Sequence, residues 1–175
     1  GIVTSVVRRA FGGGEEKISV TGADDVLVFR ARCCNPIRGE KIVGYITRGK
    51  GVSVHSATCP NVLNLLYDPE RRIGVEWEKS NEAAPAVSYT VKLTMDVEDR
   101  KGVLAAVSAK IADINTNIKD MEARTDGADG RAHIDVTVEI TDLKHLEKVM
   151  KSLRSVAGVI EVERADGAGR GEPGR

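Results

Sequence analysis

Three cysteines and one histidine in the first part of the chain are the residue types of a structural zinc site. Cys33 and Cys34 are adjacent, and His55 and Cys59 follow with three residues between them. Thiolate sulfur and imidazole nitrogen are donors that tetrahedral zinc prefers, and four of them close a structural site. Adjacent cysteines point in different directions along an extended chain, so both reach one metal only across a sharp turn, for which Asn35–Pro36 is suited. These four residues are therefore candidate zinc ligands.

Two alternatives to zinc use the same residues. In the first, the cysteines are buried, reduced thiols beside a histidine that has a structural or RNA-contacting role. In the second, Cys34 is a nucleophile and His55 is its base. The second alternative has little support, because no orienting third group, oxyanion hole or substrate pocket is evident nearby. Three cysteines with an adjacent pair also do not suit a paired disulfide framework.

The candidate ligands lie in a basic stretch of the chain. Between positions 30 and 60 there is one acid, Glu40, whereas the whole chain carries 26 basic and 26 acidic residues. A local excess of cations is suited to a polyanion, although it is also typical of a solvated face. The basic positions are Arg30, Arg32, Arg38, Lys41, Arg48 and Lys50.

The loop at 48–51 combines two of these cations with glycine. Arg48 and Lys50 alternate with Gly49 and Gly51, and a permissive backbone beside cations favours phosphate contacts. The loop is too short for a nucleotide-binding P-loop and lacks its Lys-Ser/Thr pair. Nucleotide hydrolysis at this loop is therefore not supported.

Length and composition predict small globular domains. The chain has 175 residues, of which 41% are hydrophobic, 30% charged and 3% aromatic, so one or two domains with aliphatic cores are expected. No apolar run approaches a membrane span and no leader opens the sequence, which predicts a cytoplasmic protein without a membrane partner. Gly1 stands in the place of an initiator methionine, so we expect a fragment of a longer protein.

The sequence of the first half predicts a small β-rich domain. Short β-prone runs lie at 26–29, 42–46, 52–55 and 71–77, and Pro60 is suited to the first turn of a helix that reaches about Leu66. A stretch without periodicity, interrupted by Pro85, separates this domain from the second half. The predicted divisions are a flexible segment at 1–19, the cysteine-bearing domain at 20–79, a linker at 80–87, a second domain at 88–165 and a disordered tail at 166–175.

The second half has clear hydrophobic periodicity. Apolar and polar residues alternate from Tyr89 to Val97, as in a strand with one buried face. The strand at 118–125 slips phase once, as a bulge would produce, and Thr141 or Asp142 is suited to cap the second helix. The predicted elements are a strand at 89–97, a helix at about 102–114, strands at 118–125 and 132–140, a helix at 143–153 and a strand at 159–162. The order βαββαβ predicts a ferredoxin-like α+β sandwich with both helices on one side of the sheet.

The junction between the first strand and helix of this half carries a resemblance to a known family. Gly102 allows close backbone approach, and the helix-terminal N–H groups beside it are able to hold a carboxylate. The strand, the short loop ending in glycine and the helix opening with Val103 and Leu104 resemble an ACT domain, a regulatory module that commonly binds amino acids, often between two copies. The resemblance assigns ligand contacts to Asp99, Gly102, Val103, Asn115 and Asn117. A small aliphatic pocket beside Val103 and Leu104 would complement a branched side chain, and the alternative is that these two residues are sheet-facing core.

A second resemblance covers both halves. The strings 31–36, 44–55 and 59–61, followed by the ACT-like half, resemble the conserved-cysteine domain, also called the zinc-finger or ribosome-intersubunit (RIS) domain, and the ACT domain of long RelA/SpoT homologues. The resemblance implies a parent that is a GTP diphosphokinase, a (p)ppGpp 3'-pyrophosphohydrolase or both, with catalytic domains that these residues lack. It assigns the conserved-cysteine set to Cys33, Cys34, His55 and Cys59, and candidate RNA contacts to Arg32, Arg48 and Lys50.

Two functions are therefore expected as alternatives. In the first, the chain is a non-catalytic regulatory region of the stringent response, whose ACT domain senses valine, isoleucine or leucine and modulates upstream catalytic domains. In the second, it is an adaptor for ribosomal RNA and uncharged tRNA, and its ACT domain only dimerises or contacts RNA. Open strand edges in a four-stranded sheet also favour a homodimer.

Overall fold

The computed structural model describes residues 18–21, 26–48, 51–65, 68–79 and 87–165. They fall in two compact units, of which the second is Ser88–Ala165. Lys50, the predicted tail at 166–175 and all but the last residue of the predicted linker at 80–87 lie outside the described residues. In the part of the chain that is described, no helix is both long and apolar enough to cross a membrane.

The first unit is rich in short strands, as its β-prone runs predict. A four-stranded sheet has the order β2-β4-β3-β5, in which β2 is parallel to β4 and the other pairs are antiparallel, and β1 pairs with β6 in a separate antiparallel ribbon. A 3-10 turn at Pro69–Arg71 precedes β5. The elements are β1 (Ile18–Val20), β2 (Val28–Arg30), β3 (Ile42–Thr47), β4 (Gly51–Ser56), α1 (Pro60–Leu65), β5 (Arg72–Ile73) and β6 (Val75–Trp77).

Two details differ from the sequence-based expectation. Ile18–Val20, which we placed largely in the flexible segment at 1–19, is a strand paired with Val75–Trp77, and Ile18 and Val20 are buried. The run at 71–77 is two short strands rather than one, because the chain leaves the four-stranded sheet at Gly74 and then pairs with β1. The carbonyl of Gly74 accepts the backbone N–H of Thr21 at 2.9 Å, which marks the change of partner.

Alternation along β4 divides the first unit into two buried faces. Val52 and Val54 pack with Val28 and with the β1–β6 ribbon on one side. Since successive strand residues point to opposite faces, His55 points to the other side, where Cys34, Tyr45, Cys59 and Val62 form a second cluster. The strand pattern therefore places the histidine among the cysteines.

Gly51 permits the pairing of β2 with β4. It has a positive φ of 97°, and a Cβ at this position would collide with the backbone carbonyl of Leu27. The same carbonyl accepts the N–H of Val52 at 2.7 Å. A side chain at Gly51 is therefore excluded both by its backbone conformation and by the close approach of β2.

The second unit has the predicted βαββαβ order in a ferredoxin-like arrangement. Its antiparallel sheet has the order β10-β7-β9-β8, and α2 and α3 contact each other on the side where the apolar strand residues are buried. Within the described residues, the elements are β7 (Tyr89–Glu98), α2 (Val103–Asp113), β8 (Ile118–Asp126), β9 (Arg131–Ile140), α3 (Leu143–Arg154) and β10 (Val159–Arg164).

Local details of this unit also follow the sequence. The phase slip predicted in β8 is confirmed as a register shift between Ile118 and Asp120, and β10 has a shift of its own between Val159 and Glu161. Of the two candidate caps for α3, Asp142 is the one whose side chain accepts the backbone N–H of His145, at 2.8 Å. Its carboxylate satisfies one of the otherwise unpaired N–H groups at the start of the helix.

Candidate metal centre and ligand loops

The four predicted zinc ligands lie together in the first unit. The donor atoms of Cys33, Cys34, His55 and Cys59 are all within 4.8 Å of one another. The Sγ atom of Cys33 lies 3.4 Å from Nδ1 of His55, 3.6 Å from Sγ of Cys59 and 4.0 Å from Sγ of Cys34. Sγ of Cys34 lies 3.9 Å from the same Nδ1. In the described part of the chain, these four side chains form a group of neighbouring histidine and cysteine donors with metal-site spacing.

Three local structures bring these side chains together. Residues 32–34 form a turn that is closed by a hydrogen bond from the Asn35 N–H to the Ala31 carbonyl, at 2.9 Å. Asn35 adopts a positive φ of 41°, which asparagine tolerates better than most residues. Cys59 precedes α1 and its N–H donates to the carbonyl of Ser56 at the end of β4. The cysteines therefore lie in the turn itself, which ends at Asn35, rather than before a turn at Asn35–Pro36.

Four of the six donor–donor distances fit a tetrahedral zinc ion. With Zn–S bonds of about 2.3 Å and a Zn–N bond of about 2.0 Å, tetrahedral geometry separates two sulfur ligands by about 3.8 Å and a sulfur from a nitrogen by about 3.5 Å. The sulfur–sulfur distances of 3.6 and 4.0 Å and the sulfur–nitrogen distances of 3.4 and 3.9 Å bracket these values. The donor set and its spacing therefore suit a closed structural site.

Without a metal, burial favours the neutral forms of Cys34, His55 and Cys59. Burial raises the pKa of the Cys34 thiol far above its usual range and also raises the pKa of Cys59, while it lowers the pKa of His55. A metal ion reverses the preference of the thiols, because it binds the thiolate. These pKa shifts are opposite to those that activate a cysteine nucleophile beside a protonated histidine, so they do not favour Cys34 as a catalytic residue.

The second nitrogen of His55 has its own partner. Nε2 lies 3.1 Å from Oγ of Ser53, and both residues are buried. If Nδ1 binds a metal, Nε2–H donates to this hydroxyl and fixes the ring, as outer-shell groups commonly do at metal sites. Ser53 was not among the predicted site residues, although its position two residues before His55 places both on one strand face.

The candidate RNA contacts are not clustered at one point of the first unit. Arg32 follows β2, near the end of β4 that carries His55, whereas Arg48 lies in the hairpin before Gly51 at the other end of β4. Both are exposed, and within the described part of the chain neither makes an ion pair. By contrast, two other cations have internal contacts. Arg30 donates to the Asn35 side chain, and Arg38 lies over Trp77 and donates to the Glu78 carbonyl.

The predicted ligand contacts of the second unit lie in two groups. Asp99, Gly102, Val103 and Leu104 are at the N-terminal end of α2, and Asn115 and Asn117 follow its C-terminal end. A helix of 11 residues is about 16 Å long. One copy of the chain therefore does not bring these two groups around one small ligand.

The N-terminal end of α2 has no side-chain cap, although the N–H of Val103 donates to the carbonyl of Arg100 at 3.5 Å. Gly102 occupies the cap position with a φ of 85°, and this end has neither a side-chain cap nor an acid in its first turn. Val103 is buried, as a sheet-facing core residue would be, whereas Leu104 is 42% exposed. The end of the helix therefore offers N–H groups beside an exposed aliphatic side chain.

Two histidine contacts in the second unit were not foreseen. Nε2 of His145 lies 2.8 Å from Oγ1 of Thr116, between the two candidate asparagines. On the opposite, polar face of the sheet, His133 lies between two carboxylates, with Nδ1 3.0 Å from Asp96 and Nε2 2.9 Å from Asp135. The alternation of β7 and β9 was a signal for the second contact, since it places Asp96, His133 and Asp135 on one face.

Comparisons with known proteins match both units. A family model for the RelA/SpoT RIS domain matches residues 18–78, and one for the ACT domain matches residues 85–164. A GTP pyrophosphokinase of Streptomyces coelicolor is 36% identical over 163 residues, which are 93% of this chain and 19% of that protein. A bifunctional (p)ppGpp synthase/hydrolase RelA of Mycobacterium tuberculosis is 37% identical over 161 residues, or 92% of this chain and 21% of that protein.

The chain thus spans about a fifth of the length of these curated relatives. Among solved structures, the ACT domain of a GTP pyrophosphokinase from Chlorobium tepidum aligns with a TM-score of 0.40 and 24% identity, over 45% of this chain and 99% of that one.

Proposed function

The chain belongs to the RelA/SpoT family and carries the RIS and ACT domains of the C-terminal region of its long members, and from this premise we propose that it senses amino acids and controls upstream catalytic domains. In this proposal the region of the protein that this chain spans has no catalytic activity and lies in the cytoplasm. The parent is a GTP diphosphokinase, a (p)ppGpp 3'-pyrophosphohydrolase or both.

The uncapped N-terminus of α2 carries the proposal of amino-acid binding. Its N–H groups suit the carboxylate of an amino acid, and the exposed side chain of Leu104 suits a branched aliphatic side chain. Valine, isoleucine and leucine are therefore the favoured ligands.

A second copy of the chain completes the site in this proposal. Asn115 and Asn117 are separated from Gly102 by the length of α2, so they do not face the same ligand within one copy. A two-fold axis that is perpendicular to α2 and passes beside it makes the two helices antiparallel, so the N-terminal end of one lies near the C-terminal end of its equivalent. Ligand binding is then linked to dimerisation.

Calorimetric titration tests the amino-acid proposal. Valine and isoleucine should release heat and increase the dimer fraction in sedimentation, whereas alanine and lysine should do neither. Leu104→Ala should weaken valine binding several-fold, and Leu27→Ala is the matched control, since Leu27 is an exposed leucine of the first unit. Absence of heat and of a thermal shift at millimolar valine would exclude the sensor.

We also propose that the cysteine cluster holds a structural zinc ion. The donor spacing described above supports this assignment, and the metal would join the turn at 32–34 to the segment before α1. Metal analysis of protein purified without chelators should find about one equivalent of zinc. Cys59→Ser should lose most of it, whereas Thr58→Ser, which keeps the adjacent hydroxyl, should retain it. Full metal content in Cys59→Ser would contradict the assignment.

The alternative function is an adaptor for ribosomal RNA and uncharged tRNA. The exposed guanidinium groups of Arg32 and Arg48 support it, because they are available for phosphates along the length of the first unit's sheet. Phosphate contacts release counterions, so the affinity for ribosomes should fall steeply with salt. Replacing Arg48 and Lys50 by Glu should weaken binding and flatten the salt dependence, whereas Lys144→Glu on α3 should not. An affinity that is indifferent to salt would contradict this function.

A further inference from the structure

One cysteine of the cluster is an exposed residue, whereas the other two cysteines are buried. Cys33 is exposed, whereas Cys34 and Cys59 are 1% and 2% exposed. An oxidant in solution can therefore reach the sulfur of Cys33 before those of the other two cysteines.

The geometry selects Cys59 as the partner of an oxidised Cys33. The two Sγ atoms are 3.6 Å apart, closer than the 4.0 Å between Cys33 and Cys34. Sγ of Cys34 is also held by the backbone N–H of Ser56 at 3.2 Å. In addition, a disulfide between adjacent residues closes a small ring with unfavourable geometry. Cys59 precedes a short helix, so its displacement toward Cys33 disturbs little of the sheet.

We propose that Cys33 and Cys59 form a reversible disulfide when the protein meets a peroxide, which makes the cluster a site of oxidative modification. The disulfide itself depends only on the positions of the sulfurs. Its regulatory effect rests on the proposed zinc site, because a disulfide leaves Cys34 and His55 as the two remaining ligands and the metal is released.

The chemistry requires two electrons and one peroxide molecule. The thiolate of Cys33 attacks one peroxide oxygen, the O–O bond breaks and hydroxide leaves, which forms a sulfenic acid. The thiolate of Cys59 then attacks this sulfur, the S–O bond breaks and a second hydroxide leaves as the disulfide forms. The two hydroxides take protons from the buffer and become water. A dithiol reductant reverses the step by thiol–disulfide exchange and takes up the two oxidising equivalents.

Peptide mapping of the oxidised chain tests the proposal. The zinc-loaded chain is treated with hydrogen peroxide at about one to five equivalents, the remaining thiols are alkylated, and the digest is analysed by mass spectrometry without reduction. A cross-link between Cys33 and Cys59 should be the main product, with Cys34 alkylated. A chromogenic chelator should record about one zinc ion released per disulfide, and dithiothreitol should restore both thiols.

Variants and outcomes keep the two proposals distinguishable. Cys34→Ser retains the reacting pair and should still form the disulfide, whereas Cys33→Ser should resist peroxide because no exposed thiol remains. If the purified chain contains no zinc and still forms the disulfide, the zinc site is refuted and the disulfide proposal is retained. Zinc without a disulfide after peroxide, or a cross-link that involves Cys34 in the wild-type chain, would overturn the proposal.

Discussion

The imidazole of His145 bridges the loop after α2 and the start of α3, with Nε2 2.8 Å from Oγ1 of Thr116. Its other nitrogen, Nδ1, accepts the backbone N–H of Thr141 at 3.1 Å. A backbone N–H can only donate, so Nδ1 is the acceptor and Nε2 carries the proton that is donated to Thr116. This hydrogen bond holds the buried side chain of Thr116, which lies in the sequence between the candidate ligand contacts Asn115 and Asn117.

Removal of this bridge should destabilise the second unit. His145→Ala leaves the buried hydroxyl of Thr116 and the N–H of Thr141 without this partner, and we expect a loss of about 1–3 kcal/mol in the free energy of unfolding. Lys144→Ala, at the exposed neighbouring position, should change it by less than about 0.5 kcal/mol. Urea denaturation monitored by circular dichroism measures both variants. Equal stability of the two would contradict a structural role for His145.

His133 should make stability depend on pH. The hydrogen bond to Asp96, and then that to Asp135, raises the pKa of His133 in the folded state against the opposing effect of burial. Arg124 and Lys92 lie near Asp135 on the same face, at 3.6 and 3.9 Å. A raised pKa means that the stabilisation is fully present below about pH 6.5 and is lost as the pH rises through the folded-state pKa.

His133→Gln should remove this dependence, because glutamine does not titrate. Denaturation curves from about pH 5.5 to 8.5 should therefore show a smaller decline in the variant than in the wild type. In Asp96→Asn, which removes the largest cause of the shift, NMR titration should give a lower pKa for His133. An unchanged His133 titration in Asp96→Asn would show that the carboxylate is not responsible.

Gly102 should tolerate a methyl group poorly, although there is room for one. A Cβ would meet no atom within 4 Å, but φ is 85°, a conformation that costs an L-residue about 1–2 kcal/mol. Gly102→Ala should therefore lower the free energy of unfolding by about that amount. Gly127 also has open space around it and lacks a positive φ, so Gly127→Ala should be nearly neutral. Equal effects of the two substitutions would point to a cause other than backbone strain.

Chelation should affect the first unit selectively. Trp77 is the single tryptophan of the chain, and its Nε1 donates to the carbonyl of Glu40 in the first unit. Removal of zinc should lower the stability reported by tryptophan fluorescence by about 3 kcal/mol or more, as expected for a ligand present at roughly a hundredfold above its dissociation constant. NMR signals from buried valines of β9, such as Val136, should remain unchanged. Fluorescence unaffected by a strong chelator would contradict a structural metal.

The second unit was predictable from sequence because its elements are long. Apolar and polar residues alternate along β7 from Tyr89 to Val97, and α2 has an apolar stripe bounded by Gly102 and polar residues. Each boundary therefore lies within about two residues of its predicted position. The short strands of the first unit give fewer repeats of the pattern. β1 has three residues and β5 has two, and their pairing depends on distant partners that no local pattern reveals.

The candidate sites show the same difference. Residue types alone identified Cys33, Cys34, His55 and Cys59, because few side chains bind zinc, and the fold brings all four together. The predicted amino-acid contacts, by contrast, are not brought together within one copy of the chain. Helix α2 lies between Gly102 and Asn115. The bond between His145 and Thr116 joins residues 29 positions apart, which only the packing of α3 determines.

The register shifts in β8 and β10 affect how the edges of this sheet can pair with other molecules. These are the two outer strands of the second unit's sheet, and each combines an irregular ladder with charged side chains. A β-strand of another molecule that pairs with either edge strand meets a backbone irregularity and charged side chains. Both features disfavour continued edge-to-edge pairing between molecules. We therefore expect these edges to resist continuous strand-by-strand association, although pairing between two copies is still possible.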